Sequence, residues 1–149
     1  MTTRTSQRPI VAWLTVGLVL TAAVTAFPGV DLAVTDTISG HIRQGYPQYS
    51  DESVRAAASA YAVALSTTGL LGLAGWIVAI IAERRAARWA PWFSTICLVA
   101  GTTAALFFLL VRDTSGDTGL PAMIGWAGIA PSIAGLAATA LQWRRRRSA

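Results

Sequence analysis

The segment Arg112–Gly119 holds the densest set of residues that could do chemistry, two aspartates among threonine, serine and glycine. Its Asp117–Gly119 triplet has the Asp-Thr-Gly pattern of aspartic proteases, which need two carboxylates sharing a proton and a large β-rich scaffold that this chain lacks. Asp113 and Asp117 could bind a cation, but calcium takes about six to eight oxygens. The same residue types favour tight turns. We therefore interpret the segment as a turn.

Two other side chains could take part in catalysis or ligand binding. His41 is the only histidine and could act as a base, a ligand or a pH sensor beside Asp36 and Tyr46, although a lone histidine in a loop is usually solvated. Cys97 is the only cysteine, so an internal disulfide or a multi-cysteine metal site is excluded, and we expect it to pack as a small apolar residue. The sequence therefore predicts no catalytic, cofactor-binding or metal-binding residue.

These residues lie around four long apolar stretches whose interiors hold no charged residue and no histidine. Each is long enough to cross a hydrocarbon core of about 30 Å as a helix. The 149 residues leave no room for a separate soluble domain, and uncharged interiors argue against ion coupling and buried acid–base chemistry. The stretches are Pro9–Phe27, Tyr61–Ala82, Trp89–Val111 and Leu120–Trp143.

The arginines predict how these spans are oriented. The N-terminal segment, the 83–88 hinge and the C-terminal segment carry most of them, whereas the other side carries only Arg43, Arg55 and Arg112 beside all five aspartates. Basic residues favour the cytoplasmic side. We therefore predict a multi-pass membrane protein with both termini cytoplasmic. All twelve basic residues are arginine and the chain has no lysine or asparagine, which indicates codon bias in a GC-rich bacterial genome and hence a bacterial plasma membrane. The net charge of +5 is explained by this flanking arginine, and no nucleic acid is expected as a partner.

The predicted fold is all-α: an up-down bundle of four transmembrane helices in a single domain, residues 1–149. We expect helices at about 9–27, 54–82, 89–111 and 120–143, with an outer loop at about 28–53. Pro28 should end the first helix, which we expect to be retained although Val24-x-Ala26 resembles a signal-peptidase site. Within the outer loop, apolar residues recur every four positions from Val30 to Ile42, which favours a short amphipathic helix. Ser50 or Asp51 should cap the next helix.

Glycines and hydroxyl residues recur at helical spacing in the last three spans. Small residues let helices approach closely, and hydroxyls add interhelical hydrogen bonds. Packing within one bundle explains them, but they could also line a pathway or a homo-oligomer interface. The residues are Gly69, Gly72 and Gly75, then Gly101 to Thr103, and Gly128, Ser132, Gly135 and Thr139.

From about Arg88 onward the chain resembles a family of small actinobacterial integral membrane proteins with four helices. The resemblance lies in Arg88–Ala90, Asp113–Pro121, Gly125-Trp126 and Pro131. It implies a four-helix architecture in a bacterial membrane, and it implies nothing about mechanism.

The functional hypothesis is a non-enzymatic membrane protein, an accessory or structural subunit of a cell-envelope assembly, with the lipid bilayer and a protein partner or a second copy as its contacts. One alternative is a small homo-oligomeric transporter or channel. Another is a lipid-binding or lipid-modifying protein that uses His41, Tyr46, Tyr49 and the Asp113–Asp117 hinge. The tail Arg144–Arg147 is interpreted as a topology anchor, although it could recruit anionic lipids.

Overall fold

The computed structural model describes residues 3–112 and 118–148 of the chain. Within these residues the structure is helical, and the only β-type pairing is an isolated antiparallel bridge between Arg112 and Thr118. The elements in chain order are α1 (Thr3–Val30), a π-helical turn (Asp31–Thr35), α2 (Thr37–Gly45), α3 (Asp51–Arg84), α4 (Ala90–Leu110) and α5 (Ala122–Arg147).

The four long helices form a bundle in which α1 packs against α3 and α5, and α4 packs closely against α5 and more loosely against α3. Neighbours run antiparallel: Thr21 of α1 lies against Gly72 of α3, and Thr25 against Gly69. In the described residues, four helical segments are long and apolar enough to cross a membrane, which confirms the predicted all-helical fold. We call the end of the bundle where α1 and α4 begin the arginine end. The opposite end, where α2 lies, is the loop end.

The first helix does not end at Phe27, as predicted, but continues through Pro28 to Val30 and into the π-helical turn. Pro28 removes one backbone hydrogen bond from a helix. That loss is tolerated here because its ring is fully buried and because the following turn adopts the wider π-helical spacing. The helix therefore extends beyond the predicted boundary into what we expected to be loop.

The other helix ends shift by a few residues. The second predicted helix begins at Asp51 rather than 54, because Ser50 caps it by accepting a hydrogen bond from the Ser53 N–H (3.2 Å). This confirms the predicted cap. The last helix extends to Arg147 instead of ending at 143, since arginines in the last turn of a helix interact favourably with its dipole.

The outer loop contains the predicted short helix, but only its second half follows the predicted pattern. Ile38 and Ile42 of α2 are buried, whereas Val34 is 77% exposed. The periodicity breaks at Asp36, which adopts a left-handed conformation (φ 52°). Asp31 is fully buried and caps α2, because its carboxylate accepts the Thr37 N–H (3.0 Å) and the Ile38 N–H (2.9 Å).

Candidate functional site

A cavity of about 400 Å³ lies between the four long helices. Ligand sites typically have volumes of about 300–1,000 Å³ and mostly apolar walls with a few polar groups. The walls here are apolar apart from a few hydroxyls, one thiol and the indole of Trp76. Leu14 lines it at the arginine end, and Phe108, Leu120 and Ile124 line it at the loop end.

The exposed lining residues of the cavity lie on α3 and α4, a loosely packed pair of neighbours, which indicates a sideways opening between these helices. These residues are Leu71, Ala100 and Gly101, on the outer surface of the bundle. A Cβ atom on Gly101 would meet nothing within 4 Å, whereas one on Gly75 would lie 3.5 Å from the Cys97 Sγ. The helices therefore touch at Gly75 and separate beside Gly101. Both residues lie within segments that are long and apolar enough to cross a membrane, so the opening lies along the apolar part of the bundle.

One wall of the cavity is organised by Trp76 of α3. Its indole Nε1–H donates to the Thr21 Oγ1 of α1 (2.8 Å). Its ring packs on Gly17, and a Cβ on Gly135 would lie 3.3 Å from it. Glycine at these two positions gives the ring its space. The sequence interpretation missed Trp76, although a tryptophan within a span rather than at its boundary is a usable signal, since a buried indole N–H needs a partner.

Two hydroxyls at the arginine end of the cavity lack a hydrogen-bond partner among the described residues: Ser94 Oγ of α4 and Thr139 Oγ1 of α5. Both side chains line the cavity, and both residues are only 6% exposed. Buried polar groups nearly always have partners, because leaving one unsatisfied costs about 1–3 kcal/mol. The cavity therefore combines long apolar walls with a small polar patch at one end.

The arginine end is closed by a buried polar cluster around Glu83 at the end of α3. Its carboxylate is fully buried and accepts hydrogen bonds from Arg145 and from the Gln142 Nε2 (3.1 Å), both on α5. The Gln7 Nε2 of α1 donates to the Glu83 backbone oxygen (3.2 Å). The cluster thus connects three helices. The sequence interpretation treated residue 83 as part of an exposed hinge and missed this role.

The C-terminal arginines are more than a topology anchor. Arg145 pairs with Glu83, while Arg146 donates to the Arg88 backbone oxygen (3.2 Å) and lies over the Trp143 ring. Trp143 in turn packs edge-on against Trp92 and donates to the Thr95 Oγ1 (3.0 Å) of α4. These contacts join the end of α5 to the hinge and to α4.

The loop end is closed by α2. Ile38 and Ile42 pack in one apolar cluster with Val54, Leu120 and Ile124, and the last two also line the cavity. The short amphipathic helix predicted from the sequence therefore covers one end of the bundle.

The chemically capable residues proposed from the sequence do not come together around the cavity. The His41 Nε2 donates to the Thr118 backbone oxygen (2.6 Å), which ties α2 to the segment before α5. Tyr46 and Tyr49 stack with ring centroids 4.5 Å apart. The segment Asp113–Asp117 lies outside the described residues. Within residues 3–112 and 118–148, no three metal-binding side chains cluster.

The glycines fall into two groups: some pack against another helix, and others face open space. Gly69 and Gly72 pack on α1, at Thr25 and Thr21, as close helix packing requires. Like these two, Gly101 and Gly128 line the cavity, but a Cβ on Gly101 or Gly128 would meet nothing within 4 Å.

No protein-family model, no curated protein and no solved structure matches this chain.

Proposed function

We propose that this chain is a non-enzymatic membrane protein that binds a lipid-like molecule inside its helix bundle. The observation that carries the proposal is the apolar cavity with a side opening between α3 and α4. An apolar molecule dissolved in the bilayer could enter there without passing through water. This develops the lipid-binding alternative but moves the site from the loop residues to the cavity between the helices.

The arginine distribution supports an orientation for this function. With the arginine end in the cytoplasm of a bacterium, the polar patch at Ser94 and Thr139 would lie in the cytoplasmic half of the plasma membrane, and α2 would face outward. The resemblance to four-helix actinobacterial membrane proteins fits this setting. Reaction of Arg147→Cys and Gln48→Cys, each in a Cys97→Ala background, with a membrane-impermeant maleimide tests the orientation. Labelling of the residue-147 cysteine in intact cells would contradict it.

The closed ends favour ligand binding over conduction through one bundle. Ile38 and Ile42 cover the loop end, and the Glu83 cluster fills the arginine end. A transporter would need both to open. The role of accessory subunit in a cell-envelope assembly remains a prediction, compatible with lipid binding, and co-purification from native membranes tests it. Recovery of a lone monomer would count against that role.

The binding function is tested by native mass spectrometry of the protein purified in mild detergent. We expect a lipid-sized adduct that survives detergent removal. Gly101→Phe should reduce the adduct severalfold, because the ring would fill the side opening. Thr103→Phe is the matched control, because Thr103 is exposed on the same helix and does not line the cavity. A wild-type protein without an adduct, or equal occupancy in Gly101→Phe, would refute the proposal.

A further inference from the structure

We infer, on the basis of the proposed function, that the ligand is a neutral lipid alcohol whose hydroxyl lies between Ser94 and Thr139. The inference starts from hydroxyls elsewhere in the spans. Thr15, Thr25 and Thr95 each donate to the backbone oxygen four residues earlier, at 2.8, 2.6 and 2.7 Å. Ser94 and Thr139 have no such bond within the described residues. Both residues line the cavity, and rotation about the Cα–Cβ bond would turn either buried oxygen toward a ligand held there.

The two unpartnered groups sit on different helices that face one another. Ser94 belongs to α4 and Thr139 to α5, and these helices pack closely. A single ligand group could therefore contact both oxygens. A hydroxyl both donates and accepts hydrogen bonds, and so do serine and threonine. One alcohol group could thus satisfy both side chains.

A nearby acceptor favours an alcohol over a ketone or an ester. Gln142 lies one helical turn beyond Thr139, on the same face of α5, and it is fully buried behind the lining of the cavity. Its Nε2 donates a hydrogen bond to the Glu83 carboxylate, and its Oε1 is buried with no partner in the described part of the chain. An amide oxygen can only accept a hydrogen bond. A ligand hydroxyl that reached past Thr139 to this oxygen could donate to it, which a ketone or an ester could not do.

The electrostatics of the cavity favour a neutral head group. Among the described residues, no arginine, aspartate or glutamate lines the cavity. The carboxylate of Glu83, beyond the arginine end of the cavity, is already paired with Arg145. A carboxylate or an ammonium group placed here would be a buried charge without a partner, which is costly in a low-dielectric interior. Fatty acids and amine-bearing lipids should therefore bind more weakly than alcohols.

The remaining walls suit a hydrocarbon chain. Beyond the hydroxyl pair, the cavity continues between apolar residues to Leu65, Phe108 and Ile124 near the loop end. The side opening at Leu71 and Gly101 lies between these two ends. The chain of the ligand would fill the apolar part or leave through the opening into the bilayer.

The test compares three probes of equal chain length on the full-length protein in detergent: radiolabelled 1-hexadecanol, palmitate and hexadecane. We expect hexadecanol to bind roughly thirtyfold more tightly than hexadecane, as two hydrogen bonds worth about 1 kcal/mol each would give, and palmitate to bind no better than hexadecane. Ser94→Ala/Thr139→Val should lower hexadecanol binding to the hexadecane level and leave hexadecane binding unchanged. Thr67→Val/Thr103→Val, which alters exposed hydroxyls, is the control.

The outcomes separate this inference from the proposed function. Equal binding of hexadecanol and hexadecane, or tightest binding of palmitate, would overturn the alcohol assignment while lipid binding stands. Preference for hexadecanol retained in Ser94→Ala/Thr139→Val would also overturn it. No binding of any probe above a protein-free micelle control would refute the proposed function itself. The comparison of probes on the wild-type protein decides the question even if the double variant fails to fold.

Discussion

Arg145 of α5 donates a hydrogen bond to the fully buried carboxylate of Glu83 at the end of α3. Gln142, on the same helix as Arg145, donates to the other carboxylate oxygen. A buried charge is stable only when paired and hydrogen-bonded, so the pair explains how a glutamate can close the end of an apolar bundle. The pair lies beyond the arginine end of the cavity, because Gln142 follows Thr139 by about one helical turn.

Removing the arginine should destabilise the bundle by leaving the Glu83 charge unpaired. We expect Arg145→Met to lower the free energy of unfolding by about 2–3 kcal/mol, below the full cost of breaking a buried pair, because the Arg145 side chain is 28% exposed. Thermal unfolding in detergent measures the loss. Arg147→Met, at an exposed position, should change little. Glu83→Gln/Arg145→Met should recover part of the stability, and a double variant no more stable than Arg145→Met would contradict the pairing argument.

The hydrogen bond from Trp76 to Thr21 should also contribute to stability. Trp76→Phe keeps most of the ring but loses the N–H, and we expect a cost of about 1 kcal/mol. Thr21→Val removes the acceptor, so the two changes together should cost less than their sum. Trp126→Phe is the control, since Trp126 is 65% exposed. Strict additivity in thermal unfolding would show that the two side chains do not interact.

The carboxylate of Asp31 should hold α2 against the loop end. Asp31→Ala leaves the Thr37 and Ile38 amides without their acceptor, and loss of such a cap costs about 0.5–2 kcal/mol. We expect faster hydrogen exchange across α2, with little change in α4. Asp51→Ala is the comparison, because Asp51 forms only an exposed ion pair with Arg43, and such pairs contribute little. Unchanged exchange in α2 would contradict the capping role.

Filling the cavity should separate ligand binding from folding. Gly128→Leu places a side chain where a Cβ would meet nothing within 4 Å, so we expect a folded bundle with lipid binding reduced at least severalfold. Ala127→Leu adds the same bulk at an exposed neighbouring position and should bind normally. Native mass spectrometry gives the occupancy. Full occupancy in Gly128→Leu would show that the ligand lies elsewhere.

The hinge between α3 and α4 stores a small strain that glycine should relieve. Ala86 adopts φ 50°, and the left-handed region costs a residue with a Cβ about 1–2 kcal/mol. We expect Ala86→Gly to raise the midpoint of thermal unfolding. Ala87→Gly, outside the left-handed region, should lower the midpoint or leave it unchanged. A lower midpoint for Ala86→Gly would contradict this assignment of strain.

Several features of the fold could be predicted from the sequence, because they depend on residues that are close together along the chain. The four membrane-spanning helices follow from long apolar runs, and the cap at Ser50 follows from its side chain and position. The end of the first helix was not predictable from Pro28 alone, because burial of the ring offsets the lost hydrogen bond. The burial of Asp31 was also unexpected, since an aspartate in a predicted loop is normally solvated.

The sequence by itself determined that this chain has four long apolar helices with arginines concentrated on one side, since hydrophobicity and charge are read along the chain. Only the tertiary structure decided which helix faces meet. It brought Ser94 and Thr139 into one cavity, placed Trp76 against Gly17, and paired Glu83 with Arg145. The physical reason is that a cavity forms where packed helices fail to fill the space between them, and that depends on residues distant in sequence.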